Sequence, residues 1–244
     1  MRHWLTVLGL ALGGLWMTTA VYADDAADQQ KVKKALESLL PGMKPDSVEL
    51  GKFPGMYEAV YGTQVIYVSK DGRYVFQGDV IDVGGHQNLT EGTRSKQRLK
   101  LLKSMDESEM IVFAPKKTKY TVTIFTDMDC GYCRKLHNEI DQYLERGIRI
   151  RYLAFPRSGE NTESYYKAVT VWCADDRQKA LTRMKAGENL PNNICSANPV
   201  RKHMHLAEKF AVNGTPTLVL DNGDTIPGYV PADRLEKMLA QAKL

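Results

Sequence analysis

The sequence predicts an α/β protein in two parts: a small α+β unit at the N-terminal side and, after a linker helix, a larger second domain. Three observations carry this prediction. From Tyr120 onward, strand-like runs alternate with helix-like runs, the pattern of a sheet covered on both faces. Between Ser47 and Val83 the texture is instead short β-type runs punctuated by glycines. The two textures are separated by a polar, charged, helix-permissive stretch.

The chain has 244 residues and begins with Arg2, an apolar run from Trp4 to Met17, and small or polar residues ending at Ala23. This is the pattern of a cleavable secretory signal over residues 1–23. A membrane anchor needs roughly 18 or more apolar residues, and this run is shorter and broken by two glycines. Export follows as an expectation. Gln30 to Leu40 then places Val32, Ala35, Leu36, Leu39 and Leu40 on one stripe and stops at Pro41-Gly42, so a short amphipathic helix is predicted. The runs "SVEL", "MYEAVYG", "TQVIYVS" and "YVFQGDVIDV" follow, with a hairpin signal at Asp71-Gly72. One helix and a small antiparallel sheet of about 60 residues make a marginal core, which oligomerisation would complete. This domain is placed at residues 24–87.

Residues 88–108 form the linker helix, with Leu99, Leu101, Leu102 and Met105 as its apolar anchors. So few anchors predict a helix that bridges two domains and is buried in neither. The second domain occupies 109–244. Its predicted elements are a buried strand Tyr120 to Phe125, a helix Cys130 to Arg146 closed by Gly147, and a strand Ile148 to Phe155. Helices around Ser164 to Ala174, Arg177 to Ala186 and Val200 to Phe210 come next. A strand Thr215 to Leu220, a turn into a short last strand, and a helix Ala232 to Ala242 complete the domain.

Charge excludes some functions. With 33 Lys and Arg against 29 Asp and Glu, the surplus is too small to argue for nucleic acid. The basic stretch Arg94 to Lys103 reads as the solvated face of a helix.

The chemistry lies in the four cysteines. All follow the signal, in a chain bound for a compartment where thiols pair. Four cysteines allow three connectivities. The spacing makes Cys130 with Cys133 the obvious pair and leaves Cys173 with Cys195. Zinc would need four converging ligands, and the remaining cysteines are single, without a histidine at ligand spacing, so no metal is expected. A structural bridge closing so short a loop would constrain the unfolded chain little. Redox chemistry remains. Cys130 falls where a strand has ended and a helix begins, so free backbone N–H groups and the helix dipole favour its thiolate. Cys133 lies one turn on. The roles follow: Cys130 attacks and Cys133 resolves, with Gly131 and Tyr132 between them. Asp129 is expected to cap the helix, and as a like charge it would oppose the thiolate. His137 is expected at the surface. The proline of "GTPT" reads by itself as an ordinary edge-strand residue.

The secretory start, "FTDMDCGYCRKLH", the distant "GTPT" and the closing "GYVPADRLEKML" together resemble the thioredoxin superfamily, and the layout is similar to its periplasmic disulfide-bond isomerase family along essentially the whole chain. That resemblance implies a thioredoxin-like catalytic domain and an N-terminal dimerisation domain. It implies a homodimer joined through the N-terminal domains, V-shaped, with two catalytic domains facing an apolar cleft. It implies a cis peptide at Thr215-Pro216 beside the thiol pair, where Thr215 binds extended substrate segments, and a structural bridge between Cys173 and Cys195. The implied substrates are misfolded secreted proteins, the implied electron source is the membrane thiol donor DsbD, and no cofactor is implied. One departure is visible: the strand "YTVTIF" carries no buried acid of the kind thioredoxin itself uses, so no carboxylate relay is expected from it. The activity implied is isomerisation or reduction of wrong disulfides. A net thiol oxidase and a holdase chaperone without essential redox chemistry are the alternatives.

Overall fold

In the computed structural model the described residues are 18–242, with side-chain surroundings from Asp25 onward. The apolar run of the expected signal lies outside them. Among the described residues no helix is long and apolar enough to cross a membrane.

The chain divides into two compact units, one made of the described residues through Tyr61 with Val65–Gly78, the other of Gly62–Gln64 with Asp79 onward. The first begins with helix α1 (Thr18–Leu39), which starts well before the predicted Gln30. Strands β1 (Ser47–Leu50), β2 (Met56–Tyr61), β3 (Gln64–Ser69) and β4 (Val75–Phe76) follow in an antiparallel sheet of that order. Val32 and Leu36 of α1 are buried with Val48, Tyr57, Ala59, Ile66 and Val68, one helix stripe against one sheet face. Leu39, from the same predicted stripe, is exposed.

The second unit opens with a short ladder of β5 (Ile81–Asp82) and β6 (Gln87–Asn88), then helix α2 (Leu89–Lys103). Asn88 caps α2 by accepting from the N–H of Glu91. The expectation that this helix is buried in neither domain is corrected: Thr90, Ser95, Arg98 and Leu102 are buried within the second unit. Ser95 Oγ donates to Asp224 (2.7 Å) and Arg98 Nη1 to the Gly223 carbonyl (3.2 Å). Gly223 has φ +88°, and a Cβ there would lie 2.2 Å from the Ser95 carbonyl oxygen. Beside the apolar contacts of Leu101, Leu102 and Met105, the docking is polar, and apolar periodicity could not signal that part.

Strands β7 (Ile111–Phe113), β8 (Tyr120–Thr126) and β9 (Ile148–Ala154) enter the main sheet around helices α3 (Gly131–Asn138) and α4 (Ile140–Glu145). The single predicted helix after Cys130 is therefore two, broken at Glu139, whose φ of −100° and ψ of 15° are not helical. Gly147, at φ +76°, ends α4 in the left-handed conformation that a glycine adopts freely. Helices α5 (Glu163–Trp172), α6 (Arg177–Lys185) and α7 (Val200–Lys209) come before β10 (Thr217–Val219), β11 (Thr225–Pro227) and α8 (Ala232–Ala242).

The sheet order is β11-β10-β8-β9-β7, with β8 and β9 parallel and the other pairings antiparallel. The strand β7 was not predicted; three residues are too few for a periodic signal. Val122, Ile124, Ile150, Tyr152, Trp172, Leu218 and Leu235 lie in the core on one face, and Phe125, Leu153, Leu206, Phe210 and Val219 on the other. Alternating residues of β8 and β9 serve the two faces, as the period of a strand requires. This sheet holds the C-terminal end of β8 fixed, and the thiol pair follows there.

Candidate active site

Beyond Thr126 the chain leaves β8, and Cys130 becomes the N-cap of α3 with an extended backbone (φ −82°, ψ 119°). Its Sγ accepts from the Cys133 N–H at 3.3 Å. This corrects the expectation for Asp129, which is not the cap; the cysteine sulfur takes that place. The Asp129 carboxylate instead meets Lys167 (2.8 Å) and Arg134 (3.5 Å), so two cations offset its charge beside the sulfur.

Both thiols are free and buried, Cys130 at 4% exposure and Cys133 at 1%. The structure brings them together with Thr215 and Pro216. The Thr215-Pro216 peptide is cis, and the Thr215 carbonyl lies 3.2 Å from Cys130 Sγ as an acceptor for the protonated thiol. Thr215 Oγ1 is buried without a protein hydrogen-bond partner in this geometry. A thiolate cannot donate to the carbonyl, but it can accept from that hydroxyl. Gly131 and Tyr132 form the exposed rim. A Cβ on Gly131 would meet no atom within 4 Å, and the Tyr132 ring, 64% exposed, stacks on Tyr229. Lys135 Nζ covers the Tyr229 ring at 4.7 Å.

The two thiols are driven apart in acidity. Cys130 is lowered to about 5, chiefly by a hydrogen bond from the Cys133 thiol and against the cost of burial. The Thr215 side chain, the Cys133 N–H and the Arg157 charge add to the lowering. Cys133 is pushed far up, first by burial and then by its bond to Cys130, while the Lys185 charge and the Asp127 backbone N–H oppose this. One sulfur is poised as a nucleophile and the other holds its proton.

Below the thiols lies a set of charges that the sequence reading did not select. Asp127 is 2% exposed and fully engaged: its carboxylate accepts from Ser164 Oγ (2.5 Å), the Asp129 N–H (3.0 Å), and the N–H (3.1 Å) and Nε (3.0 Å) of Arg157. Burial works to raise its pKa, and these bonds outweigh it and hold it below the usual carboxylate value. Lys185, the last residue of α6, is 1% exposed and donates to Thr126 Oγ1 (2.9 Å) and the Asp127 carbonyl (2.6 Å). A signal for it existed, since Leu181 and Lys185 are i and i+4 on the stripe that buries α6. His137, expected at the surface, is 2% exposed between Tyr152 (3.1 Å) and Thr182 (3.0 Å). It faces inward because α3 turns that side of the helix onto the sheet.

Cys173 and Cys195 are bridged (S–S 2.00 Å). Among the described residues no group of three His, Cys, Asp or Glu side chains could hold a metal ion.

Comparison with known proteins agrees with this architecture. Residues 107–243 match the family model of a thioredoxin-like domain, and residues 23–91 match that of the disulfide bond isomerase protein N-terminal domain. The chain is 36% identical over 217 residues to thiol:disulfide interchange protein DsbC of Escherichia coli K12, covering 89% of this chain and 88% of that one. It is 35% identical over 236 residues to DsbC of Dickeya dadantii, covering 96% and 92%. Among solved structures, a disulfide interchange protein from Neisseria gonorrhoeae aligns with a TM-score of 0.51 at 33% identity, covering 57% of this chain and 99% of that chain. The thiol-disulfide exchange protein alpha-DsbA2 of Wolbachia pipientis shares the fold alone, with a TM-score of 0.50 at 16% identity over 64% of this chain and 99% of its own. With a thioredoxin-like domain behind an isomerase-type N-terminal domain, and with such relatives along nearly its whole length, the chain belongs to the DsbC family of thiol:disulfide interchange proteins.

Proposed function

We propose that this chain rearranges wrong disulfides in secreted proteins, with Cys130 as nucleophile and Cys133 as resolving thiol. The observation that carries the reading is the split between the two sulfurs: Cys130 accepts hydrogen bonds and ionises easily, while Cys133 keeps its proton. The Cys130 thiolate attacks one sulfur of a substrate disulfide, forms a mixed disulfide and expels the other substrate sulfur as thiolate. That thiolate attacks elsewhere in the substrate, and a second exchange returns reduced Cys130. If this stalls, Cys133 attacks Cys130 Sγ, the pair becomes a disulfide, and the substrate leaves reduced by two electrons. Electrons pass only between sulfurs, so the cycle uses no cofactor.

Thr215 and Pro216 line the sulfur and offer main chain to an extended substrate segment by strand addition. The Cys173–Cys195 bridge is a structural brace, and residues 109–244 act as the catalytic domain. Residues 24–87 act as the dimerisation domain. In support, β4 pairs only with β3 among the described strands, and its Val75 and Phe76 are exposed together with the preceding Tyr74, an apolar edge suited to a second copy. Work on secreted substrates places the protein in the periplasm, where a membrane thiol donor of the DsbD kind would keep the pair reduced.

The test is recovery of a scrambled multi-disulfide protein by the full chain and by a Cys130→Ala, Cys133→Ala double variant. The intact chain restores activity and the variant does not. Recovery by the variant would transfer the function to chaperone-type binding. A pair found oxidised at rest by alkylation trapping would instead make it a net oxidase.

A further inference from the structure

Lys185 is a fully buried cation whose two hydrogen-bond acceptors, Thr126 Oγ1 and the Asp127 carbonyl, are both uncharged. A lysine costs several kcal/mol to bury unless its surroundings answer its charge. Here the answer comes from the thiol pair. Lys185 Nζ binds the Asp127 carbonyl, which also accepts from the Cys130 N–H at 3.3 Å, and Cys130 Sγ in turn accepts from the Cys133 N–H at 3.3 Å. One carbonyl thus joins the ammonium to the start of the thiol pair. Helix α6, which carries Lys185 at its end, packs directly against α3, which carries the pair.

The charges that act on Lys185 are few. Cys133 and Cys130 at the start of α3 and Asp127 after β8 favour its charged form, and Arg134 of α3 opposes it. His137, also on α3 and held by Tyr152 of β9 and Thr182 of α6, is neutral, lowered to about 4 by burial and then by Lys185. Burial lowers Lys185 itself to about 8. Lys185 is the leading cationic influence on Cys133, whereas Arg157 lowers Cys130 and is felt by Cys133 as well.

We propose that Lys185 is a positioning residue for the resolving step, a buried ammonium that lets Cys133 ionise and attack Cys130 once a mixed disulfide has formed. The inference rests on the exchange reading above. In this step the Cys133 S–H proton passes through water to the departing substrate sulfur. The Cys133–Cys130 S–S bond forms as the Cys130–substrate S–S bond breaks, and the pair is oxidised while the substrate sulfur is reduced. The first attack, by Cys130, depends on this ammonium far less, because the Cys133 thiol and N–H, the Thr215 side chain and the Arg157 charge already hold its thiolate.

The experiment is stopped-flow reaction of the reduced full chain with 5,5′-dithiobis(2-nitrobenzoate), which releases one coloured thiolate on attack by Cys130 and a second when Cys133 resolves the mixed disulfide. Lys185→Met should leave the first phase within about twofold and slow the second about tenfold at pH 7, by the tenfold per pKa unit of a thiolate population. In the intact chain the second phase should bend near pH 8, where Lys185 loses its charge, and the bend should vanish in the variant. An unchanged second phase, or equal slowing of both phases, would overturn the proposal. Absence of a first phase in the intact chain would instead defeat the exchange reading itself. Should Lys185→Met not fold, NMR titration of the Lys185 side chain in the unsubstituted protein decides: coupling is reciprocal, so its midpoint must fall when the pair is oxidised and the Cys130 charge is lost. Equal midpoints in the two states would overturn it.

Discussion

The first cysteines of the two pairs stand at opposite ends of helices, and this difference bears on their different fates. Cys130 stands at the N-terminus of α3, where its sulfur receives an N–H and meets the positive end of the dipole. Cys173 stands at the C-cap of α5, where the helix presents carbonyls, and there the helix dipole opposes a thiolate. The second pair is bridged, with a Cα–Cα distance of 5.7 Å, and the Cys195 N–H lies 3.0 Å from the Cys173 sulfur. The first pair is unbridged above Asp127, Arg157 and Lys185. The same side chain is therefore reactive or inert according to the backbone dipoles and charges around it.

The largest effect to test is acidity. Cys130, lowered to about 5, is almost wholly thiolate at pH 7, where an unperturbed cysteine is only a few per cent ionised. Iodoacetamide should therefore alkylate it with a midpoint near pH 5, while Cys133 stays unreactive through neutral pH. The sign of the linked stability follows. The folded thiol ionises near 5 and the unfolded one near 9, so the stabilisation is complete above 9, shrinks as pH falls, and is gone below 5. The oxidised protein has no such thiol, so the reduced-minus-oxidised difference in Tm should diminish steadily between those limits. A midpoint near 9 would erase the contrast between the two pairs.

The second test removes the other pair. Replacing Cys173 and Cys195 by Ala opens a link spanning 22 residues of sequence and should cost about 3 kcal/mol in chemical denaturation. The alkylation midpoint of Cys130 should stay where it was. If the midpoint moves upward with the loss of the bridge, the brace and the site are one system and the comparison fails.

How much of this the sequence disclosed follows from the kind of interaction. The alternation of β8, α3 and β9 was legible because burial on a sheet imposes period, and the thiol pair was legible because its spacing is chemical. The docking of α2 was not, because Ser95 and Arg98 are held by Asp224 and Gly223 more than a hundred residues away. The break at Glu139 has no proline or glycine to announce it. His137 and Lys185 look like surface residues by type, and only their facing elements show why they are buried. In Lys185 the polar group sits on an apolar stripe, a conflict between local and tertiary preference of the sort that marks functional positions.

The smallest effect tests whether the residues between the thiols matter to the contrast. Gly131 occupies the first turn of α3 with open space around its missing Cβ and no left-handed backbone to protect. Gly131→Ala should therefore stabilise the fold by about 0.5 kcal/mol, through a less flexible unfolded chain and a better helix start. It leaves the Cys133 N–H, the Thr215 side chain and the Arg157 charge in place, so the Cys130 midpoint should shift by less than about half a unit. A thermal melt and an alkylation series on the one variant measure both quantities. A stable variant whose midpoint moves by more than a unit would mean that the residue inside the CxxC, rather than the donors and charges that surround it, sets the reactivity of Cys130.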